Sequence, residues 1–284
     1  MNVLTFDIEE WFHIKFDNEF LDDSKLLNSF EKRLDLNMKI ILDLLDEHNQ
    51  KATFFCLGWV ARRYPHIIKE IDVRGHEIGC HSDLHKLLYT FSINEFEKDL
   101  LNAIRSIELI INKKVELYRA PAFSITSKNK WVFDILAKHG IKIDCSVFPA
   151  KRDFGGLDDF DSSKPSIIKT SNNKLLKEFP INIFRTKIKD LIFSGGGYFR
   201  LLPYFIIKNM MNQSDYVMTY FHPRDFDIGQ PIIKNLSISR RFKSYYGIKS
   251  SRKKLNKLLR DYDFLCVSDA ANLIEWNDAY VYKL

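Results

Sequence analysis

The stretch that decides the fold runs from Pro65 to His85, PHIIKEIDVRGHEIGCHSDLH. Proline is favoured in the first turn of a helix and glycine just past its end, so Pro65 and Arg74-Gly75 bracket a helix. Glu77 to Cys80 then reads as a short strand. It gives way at once to a polar segment with two histidines four positions apart, His81 and His85. Helix, strand and a chemistry-bearing loop form the repeating unit of an α/β fold.

The same alternation extends both ways. Upstream, Val3 to Asp7 reads as a strand, and Leu34, Met38, Ile41, Leu42 and Leu45 fall at helical spacing between Phe30 and His48. Ala52 to Cys56 is a second strand, broken by Gly58. Downstream, Ser92 and Glu95 have the spacing of a capping box for a helix reaching Ile111. Glu116 to Arg119, the helix Lys130 to His139 closed by Gly140, and Ile141 to Cys145 continue the pattern. The expected class is α/β, with a mainly parallel sheet under helices, open or closed into a barrel. From Pro149 to Pro180 the signal weakens, and an irregular insertion is expected. Tyr216 to Phe221 is a later strand and Asp263 to Val267 the last, with Ser268 capping a short helix. No low-complexity linker or repeat intervenes. One domain over residues 1–284 is expected, elaborated at about 150–215 and basic after about 230.

With 45% hydrophobic and 28% charged residues, the chain can bury a sizeable core beneath a polar surface. The net charge of +6 is modest for 284 residues, and its basic residues concentrate late, at Arg240-Arg241 and Lys249 to Lys254. They read as a solvated helix face or as a surface for anionic headgroups or a nucleotide-linked sugar; no nucleic-acid partner is expected. The opening MNVLTFDIEE lacks the charged-then-apolar pattern of a signal peptide, and no apolar run is long enough for a membrane span. A cytoplasmic protein is expected, either free or peripheral at the inner face of the membrane. Cys56, Cys80, Cys145 and Cys266 form no CxxC pair. Cys80 adjoins His81, but alternation along a strand points the two apart.

Polar residues gather where strands end. Asp7, Glu9 and Glu10 follow the first strand, His81 and His85 the third, Arg119 the fourth, Asp144 the fifth, and His222 with Asp225 the late one. In a parallel sheet these ends open on one side, so the residues converge. His81 and His85 on a helical turn would share a face and bind one divalent metal. In extended chain Asp7 and Glu9 point one way and Ile8 and Glu10 the other. One carboxylate can therefore ligate the metal while another takes a proton from water. His222, with an unperturbed pKa of about 6.5, suits a general acid. Among the other histidines, His13 stands out because it follows the acidic run closely.

These motifs, in this order, resemble the polysaccharide deacetylase family, also called carbohydrate esterase family four or the NodB-homology domain. The resemblance spans Val3 to Cys145 and returns at Tyr216 to Asp225. Ser194 to Pro203 and Phe221 to Asp225 look like the branch found with exopolysaccharide and surface-glycan genes. The family's fold is a distorted, incomplete (β/α) barrel. The resemblance implies Asp7 as catalytic base, His81 and His85 as metal ligands, and Arg119 of Arg119-Ala120-Pro121 as the ion-pair partner of the base. It implies Asp144 as the acid that orients and charges the catalytic histidine, His222. Most of the family has a second aspartate after the base; here Ile8 follows, so Glu9 is the expected third ligand, with Glu10 in reserve. Tyr220 stands where a leucine usually lines the acetyl pocket. Pro121, Phe123, Tyr198, Arg200 and Tyr220 are expected to contact substrate, with the Gly195-Gly196-Gly197 run as a turn or lid beside the cleft.

The implied activity is metal-dependent removal of an acetyl group, foremost N-acetyl, from a sugar or glycan that is free, nucleotide-linked, lipid-linked or polymeric. One divalent ion is implied, zinc first, with cobalt, nickel, manganese or iron as other occupants. A backbone N–H near Ala122 or Phe123 is the expected oxyanion donor. Two readings from other classes stay open: an amidohydrolase on a non-sugar amide, and a non-catalytic glycan-binding protein on the same fold.

Overall fold

The structure, a computed structural model, describes residues 1–14, 30–151, 154–184, 191–232 and 238–284. Parts of the expected elaborated segment (152–153 and 185–190) and of the basic extension (233–237) lie outside the described residues.

The first expected strand is two. β1 (Asn2–Val3) pairs with β9 (Val217–Met218), and after Leu4 the chain changes neighbours, so that β2 (Thr5–Ile8) pairs with β3 (Thr53–Cys56). β4 (Glu77–Cys80), β5 (Leu117–Tyr118) and β6 (Ile143–Asp144) follow in spatial order, each parallel to the last. Beyond β6 lie β8 (Leu175–Glu178), β7 (Ser166–Lys169) and β10 (Val281–Lys283). β7 and β8 form an antiparallel hairpin inside the segment expected to be irregular. Past β2 the sheet continues through bridges from Phe6 to Phe221 and from Tyr220 to Gly195. On the far side Tyr216 Oη donates to Pro180 O (2.8 Å) and Met218 N to Asn182 Oδ1 (3.1 Å). Side-chain bonds thus stand in for a strand ladder and leave the barrel incomplete.

Helices cover the outside because their apolar spacing demands it. α1 (Leu34–Glu47) buries Leu34, Met38, Ile41, Leu42 and Leu45. α2 (Gly58–Arg63) and α3 (Pro65–Val73) link β3 to β4. α4 (Ile93–Ile111) starts at the capping box of Ser92 and Glu95 and stops at Asn112, which takes the left-handed conformation. α5 (Trp131–Lys138) leads to β6. Then come α6 (Gly196–Leu201), α7 (Tyr204–Asn212), α8 (Ile238–Tyr245), α9 (Ile248–Asp261) and α10 (Val267–Asn272). The expected last strand reduces to one bridge between Val3 and Leu265, and α10 begins at Val267, ahead of the expected cap at Ser268. Strand alternation divides the apolar residues. Phe54 and Cys80 join the cluster under the helices, while Phe55, Cys145 and Met218 join the one inside the barrel. Among the described residues, no helix is long and apolar enough to cross a membrane.

Candidate metal centre and catalytic site

Because β2, β4, β5 and β9 run parallel, the segments after them meet at one end of the barrel. Asp7 and Glu9 point the same way, as strand alternation requires. Glu10 points the opposite way, where its carboxylate accepts from Tyr64 Oη (2.8 Å) and from the backbone N–H groups of Arg33 and Leu34 at the start of α1. It serves as a helix cap, and Glu9 is left as the carboxylate beside the histidines.

One donor atom each from Glu9, His81 and His85 lies within 4.8 Å of the others, and all three residues are buried. His81 Nδ1 is 2.8 Å from Arg119 O and donates to it, which aims Nε2 at the centre. Burial pushes the His81 imidazolium down to about 4, so the ring is neutral and can act as a ligand. Glu9 Oε2 sits 2.7 Å from His85 Nε2, yet no donor is aligned with it as a hydrogen bond. Burial opposes ionisation of Glu9, but His85, His222 and His13 outweigh it and hold the group well below the usual carboxylate range. Two imidazoles and an ionised carboxylate converging from three directions fit a divalent metal ion.

The two histidines do not sit on a helical turn, as their spacing suggested. Residues 81–87 are a loop in which Ser82 (φ 72°) and His85 (φ 60°) both take the left-handed conformation. Such strain persists only where neighbours fix it. Asp99 on α4 accepts from Ser82 Oγ (2.7 Å) and Asp83 N (2.9 Å), and α2 donates back through Gly58 N and Trp59 N to Ser82 O and Asp83 O. Gly58 is obligatory here, since a Cβ would fall 2.1 Å from Asp83 Oδ1 and 2.6 Å from Ala103 Cα.

Arg119 is fully buried inside the barrel with its guanidinium over Phe55 (4.2 Å). It donates to Asp7 Oδ1 (2.8 Å), Thr5 Oγ1 (2.6 Å) and Cys145 O (3.2 Å). A buried charge is tolerable when paired in this way, and the pair fixes Asp7. His222 Nε2 lies 3.9 Å from Asp7 Oδ2 and 3.8 Å from Glu9 Oε1. Its side chain is 23% exposed, against 5% or less for Asp7, Glu9 and His85, so the centre opens to solvent on the His222 side.

The acid that holds His222 is Asp225, not Asp144. Asp225 Oδ2 accepts from His222 Nδ1 and from His222 N, both at 3.0 Å, within the turn Pro223–Phe226. Burial pulls the imidazolium down, but the hydrogen bond to Asp225 and the charges of Asp225, Glu9 and Asp7 raise it to about 9. Asp225 is in turn depressed to about 2, its burial outweighed by Arg200, His222 and Arg224. Asp144 lies across the barrel. It accepts from Ser146 Oγ (2.5 Å), whose oxygen accepts from Ala120 N (2.8 Å), and its strand pairs it with Glu178. Its reach to the site is through the Arg119–Ala120 backbone.

Arg200, expected to contact substrate, is turned inward instead. It is buried, with Nε 3.4 Å from Asp225 Oδ1 and its Nη atoms donating to Ser244 O and Lys243 O, both at 2.7 Å. The glycine run is no lid: Gly195 lies beneath Tyr220, whose carbonyl would be 2.4 Å from an added Cβ, and α6 begins at once. Tyr198, on α6, is partly exposed. Phe123 and Tyr220 meet edge to face at 5.2 Å, and Tyr220 lies 6.4 Å from the His222 ring. They form a buried aromatic wall between Arg119 and His222, and Pro121 is buried beside it. Phe123 N bonds back to Ala120 O, which leaves Ala122 as the oxyanion donor to consider. His13, buried against His85 (5.9 Å) and Trp59 (5.1 Å), is kept neutral by burial, which pushes it down to about 3.

The family model for polysaccharide deacetylases matches residues 21–143, which include His81, His85 and Arg119. Residues 21–143 are thus similar to the polysaccharide deacetylases. A model for a domain of unknown function (DUF3473) matches residues 145–272, the part that brings His222, Asp225 and Arg200 to the site. The chain is 28% identical over 103 residues to a peptidoglycan-N-acetylglucosamine deacetylase of Bacillus cereus, covering 36% of this chain and 38% of that one. It is 30% identical over 111 residues to a chitooligosaccharide deacetylase of Azorhizobium caulinodans, covering 38% and 51%. The chain thus spans about half or less of the length of these relatives. In fold it is similar to a Mycobacterium smegmatis crystal structure assigned as a polysaccharide deacetylase, with a TM-score of 0.67 and 19% identity over 100% of this chain and 92% of that one. It is also similar to a carbohydrate esterase family four pseudoenzyme of Bacillus anthracis, with a TM-score of 0.51 and 16% identity over 100% and 69%. Fold likeness therefore extends to a pseudoenzyme, and a fold of this kind does not by itself imply activity.

Proposed function

We propose that this chain hydrolyses the acetamido group of a sugar or glycan, releasing acetate and a free amine. The observation that carries the reading is the meeting of Asp7, Glu9, His81, His85 and His222 at one end of the barrel. Glu9, His81 and His85 would hold a divalent ion, and their nitrogen and oxygen donors suit zinc, with cobalt, nickel, manganese and iron as other occupants. A cation there supplies Lewis acidity, polarising a carbonyl and making water more acidic. Asp7, fixed by Arg119, takes the proton of the attacking water. The N–H of Ala122 is assigned to the developing oxyanion, a contribution of roughly 3–4 kcal/mol in comparable sites. His222, held charged by Asp225, gives its proton to the departing nitrogen, which would otherwise leave as an unstable amide anion. Phe123 and Tyr220 wall the acetyl group.

The relatives named for peptidoglycan and chitooligosaccharide support an N-acetylated glycan as substrate. We read residues 1–284 as one catalytic domain, because a single apolar cluster draws on Leu4, Leu100, Leu255 and Tyr282 alike. We keep the cytoplasmic placement, supported by four buried cysteines that are all free thiols.

The test is acetate release from a panel of N-acetylated sugars and oligosaccharides beside O-acetylated and non-sugar amides. Release is expected from the N-acetylated glycans, and Asp7→Asn is expected to lose roughly 100- to 10,000-fold in turnover while keeping its metal. Wild-type turnover in Asp7→Asn, or release from non-sugar amides alone, would refute the reading.

A further inference from the structure

We propose that the face built by α8 and α9 docks on a membrane surface rich in anionic headgroups. The excess positive charge of the chain is concentrated there. From Ile228 to Arg260 there are ten Lys and Arg and no Asp or Glu, whereas elsewhere acids outnumber bases 37 to 33. α9 buries Ile248, Ser251, Leu255, Leu258 and Leu259 against the protein, which turns Lys249, Arg252, Lys253 and Lys257 outward, all exposed. Among the described residues, Lys249, Arg252 and Lys253 meet no carboxylate.

Beside these cations runs an apolar stripe. Ile238, Phe242 and Tyr246 recur every fourth residue, the spacing of one helix face, and are 90%, 50% and 51% exposed. The Phe242 and Tyr246 rings lie 4.6 Å apart, and Tyr246 N continues the helix by bonding to Phe242 O. Arg241 and Lys243 flank the stripe, both exposed. On α7, next to α9, Phe205 is 73% exposed, and Lys257 reaches over its neighbour Tyr204. Scattered exposed apolar side chains need no explanation. A helix-spaced row of large ones flanked by Lys and Arg is the composition of an interfacial helix, in which apolar groups enter the headgroup boundary and cations meet anionic lipid.

The face is firmly mounted. Arg200 grips the last turn of α8 through Lys243 O and Ser244 O, and Gly247 packs so closely on Arg200 O that a Cβ would come within 2.2 Å. Lys254 Nζ donates to the carbonyls of Phe199, Arg200 and Leu202 at the end of α6. Since Arg200 also contacts Asp225, the partner of His222, the docking face and the catalytic imidazole share one support. The proposal extends the catalytic reading by placing the glycan substrate at a membrane, although vesicle binding can be tested without catalysis.

Flotation of the full chain with vesicles of phosphatidylcholine alone, and of phosphatidylcholine mixed with phosphatidylglycerol, tests it. The chain is expected to float with the anionic vesicles only. At least a tenfold loss of partition is expected in K249E/R252E/K253E/K257E and, separately, in I238S/F242S, with metal binding and turnover of a soluble acetamido sugar unchanged in both. Equal partition to the two vesicle types, or undiminished binding by both variants, would overturn it. So would a stable dimer in sedimentation that I238S/F242S dissociates, or an oligonucleotide complex tighter than the vesicle complex. Turnover without vesicle binding would sink the docking proposal alone, and vesicle binding by an inert chain would sink the catalytic reading alone.

Discussion

His222 is useful as an acid only if it keeps its proton at working pH, and Asp225 is the group that ensures this. Its hydrogen bond and charge head the influences that overcome burial and lift the imidazolium to about 9. The protonated ring is the active form, so activity should fall as pH rises through that value. Asp225→Asn keeps the shape but removes the charge, and should move the alkaline limb of the kcat/KM profile acidward by about one unit or more. An unmoved limb would return the role to another group. Much at this scale was legible from residue type and position. Asp7 lies near the end of β2, His81 and Arg119 directly follow β4 and β5, His85 sits in the loop after His81, and alternation separates Glu9 from Glu10. The partner of His222 in the structure is Asp225 rather than the Asp144 that the resemblance implies, because which side of the barrel a strand end faces is not written in its residues. The local His222-Pro223-Arg224-Asp225 turn carries the answer, since a carboxylate three residues on can fold back onto the imidazole. Nothing near Arg200 in sequence announces that its side chain turns inward.

Between strand and metal stands an element whose form the spacing of its histidines hides. The 81–85 loop is held by Asp99 from α4 and by the first turn of α2, so the integrity of a helix start governs the placement of two ligands. Gly58→Ala should gain up to about 1 kcal/mol in helix propensity. The backbone contact at Ala103 Cα cannot yield as a side chain does, and overpacking of this kind costs about 1–3 kcal/mol. A net loss of stability is therefore expected as a lower urea midpoint at unchanged slope, together with weaker metal binding as Asp83 is displaced. A midpoint equal to wild type would show that α2 is not clamped to the loop. Longer elements were legible because amphipathic spacing repeats over several turns, as in α1 and α4. The β7–β8 hairpin was not, because its strands are four residues each and Lys174, Lys177 and Lys169 dilute the apolar pattern.

Taken whole, the barrel encloses more acid than its site uses. Asp144 and Glu178 are register partners on β6 and β8, both fully buried, and Asp144 Oδ2 and Glu178 Oε2 have no donor elsewhere in the protein, which leaves the two carboxyls to share a proton. Burial raises both groups; the charge of Asp144 and the bond between the two carboxyls raise Glu178 further, while that bond holds Asp144 down. A carboxyl raised in the folded state adds stability below its unfolded pKa and loses it as pH climbs through the folded value. Glu178→Gln should therefore raise Tm by about 2–4 °C at pH near 8 and change it little at pH near 5; a loss at both would mean that the ionised pair is needed. The parallel alternation that carries the fold was legible because each crossover helix and strand has its own signal. Closure was not, since it depends on Tyr216 reaching Pro180 O and Met218 N reaching Asn182 Oδ1 across the barrel. The central claim is that Glu9, His81 and His85 hold one metal ion beside Asp7 and His222. Its most direct test is metal content and affinity of the purified chain and of Glu9→Gln and Glu10→Gln. One divalent ion per chain is predicted, with affinity lowered roughly a hundredfold or more in Glu9→Gln and near wild type in Glu10→Gln. A chain that takes up no metal, or a Glu9→Gln variant that binds as tightly as wild type, would contradict the account.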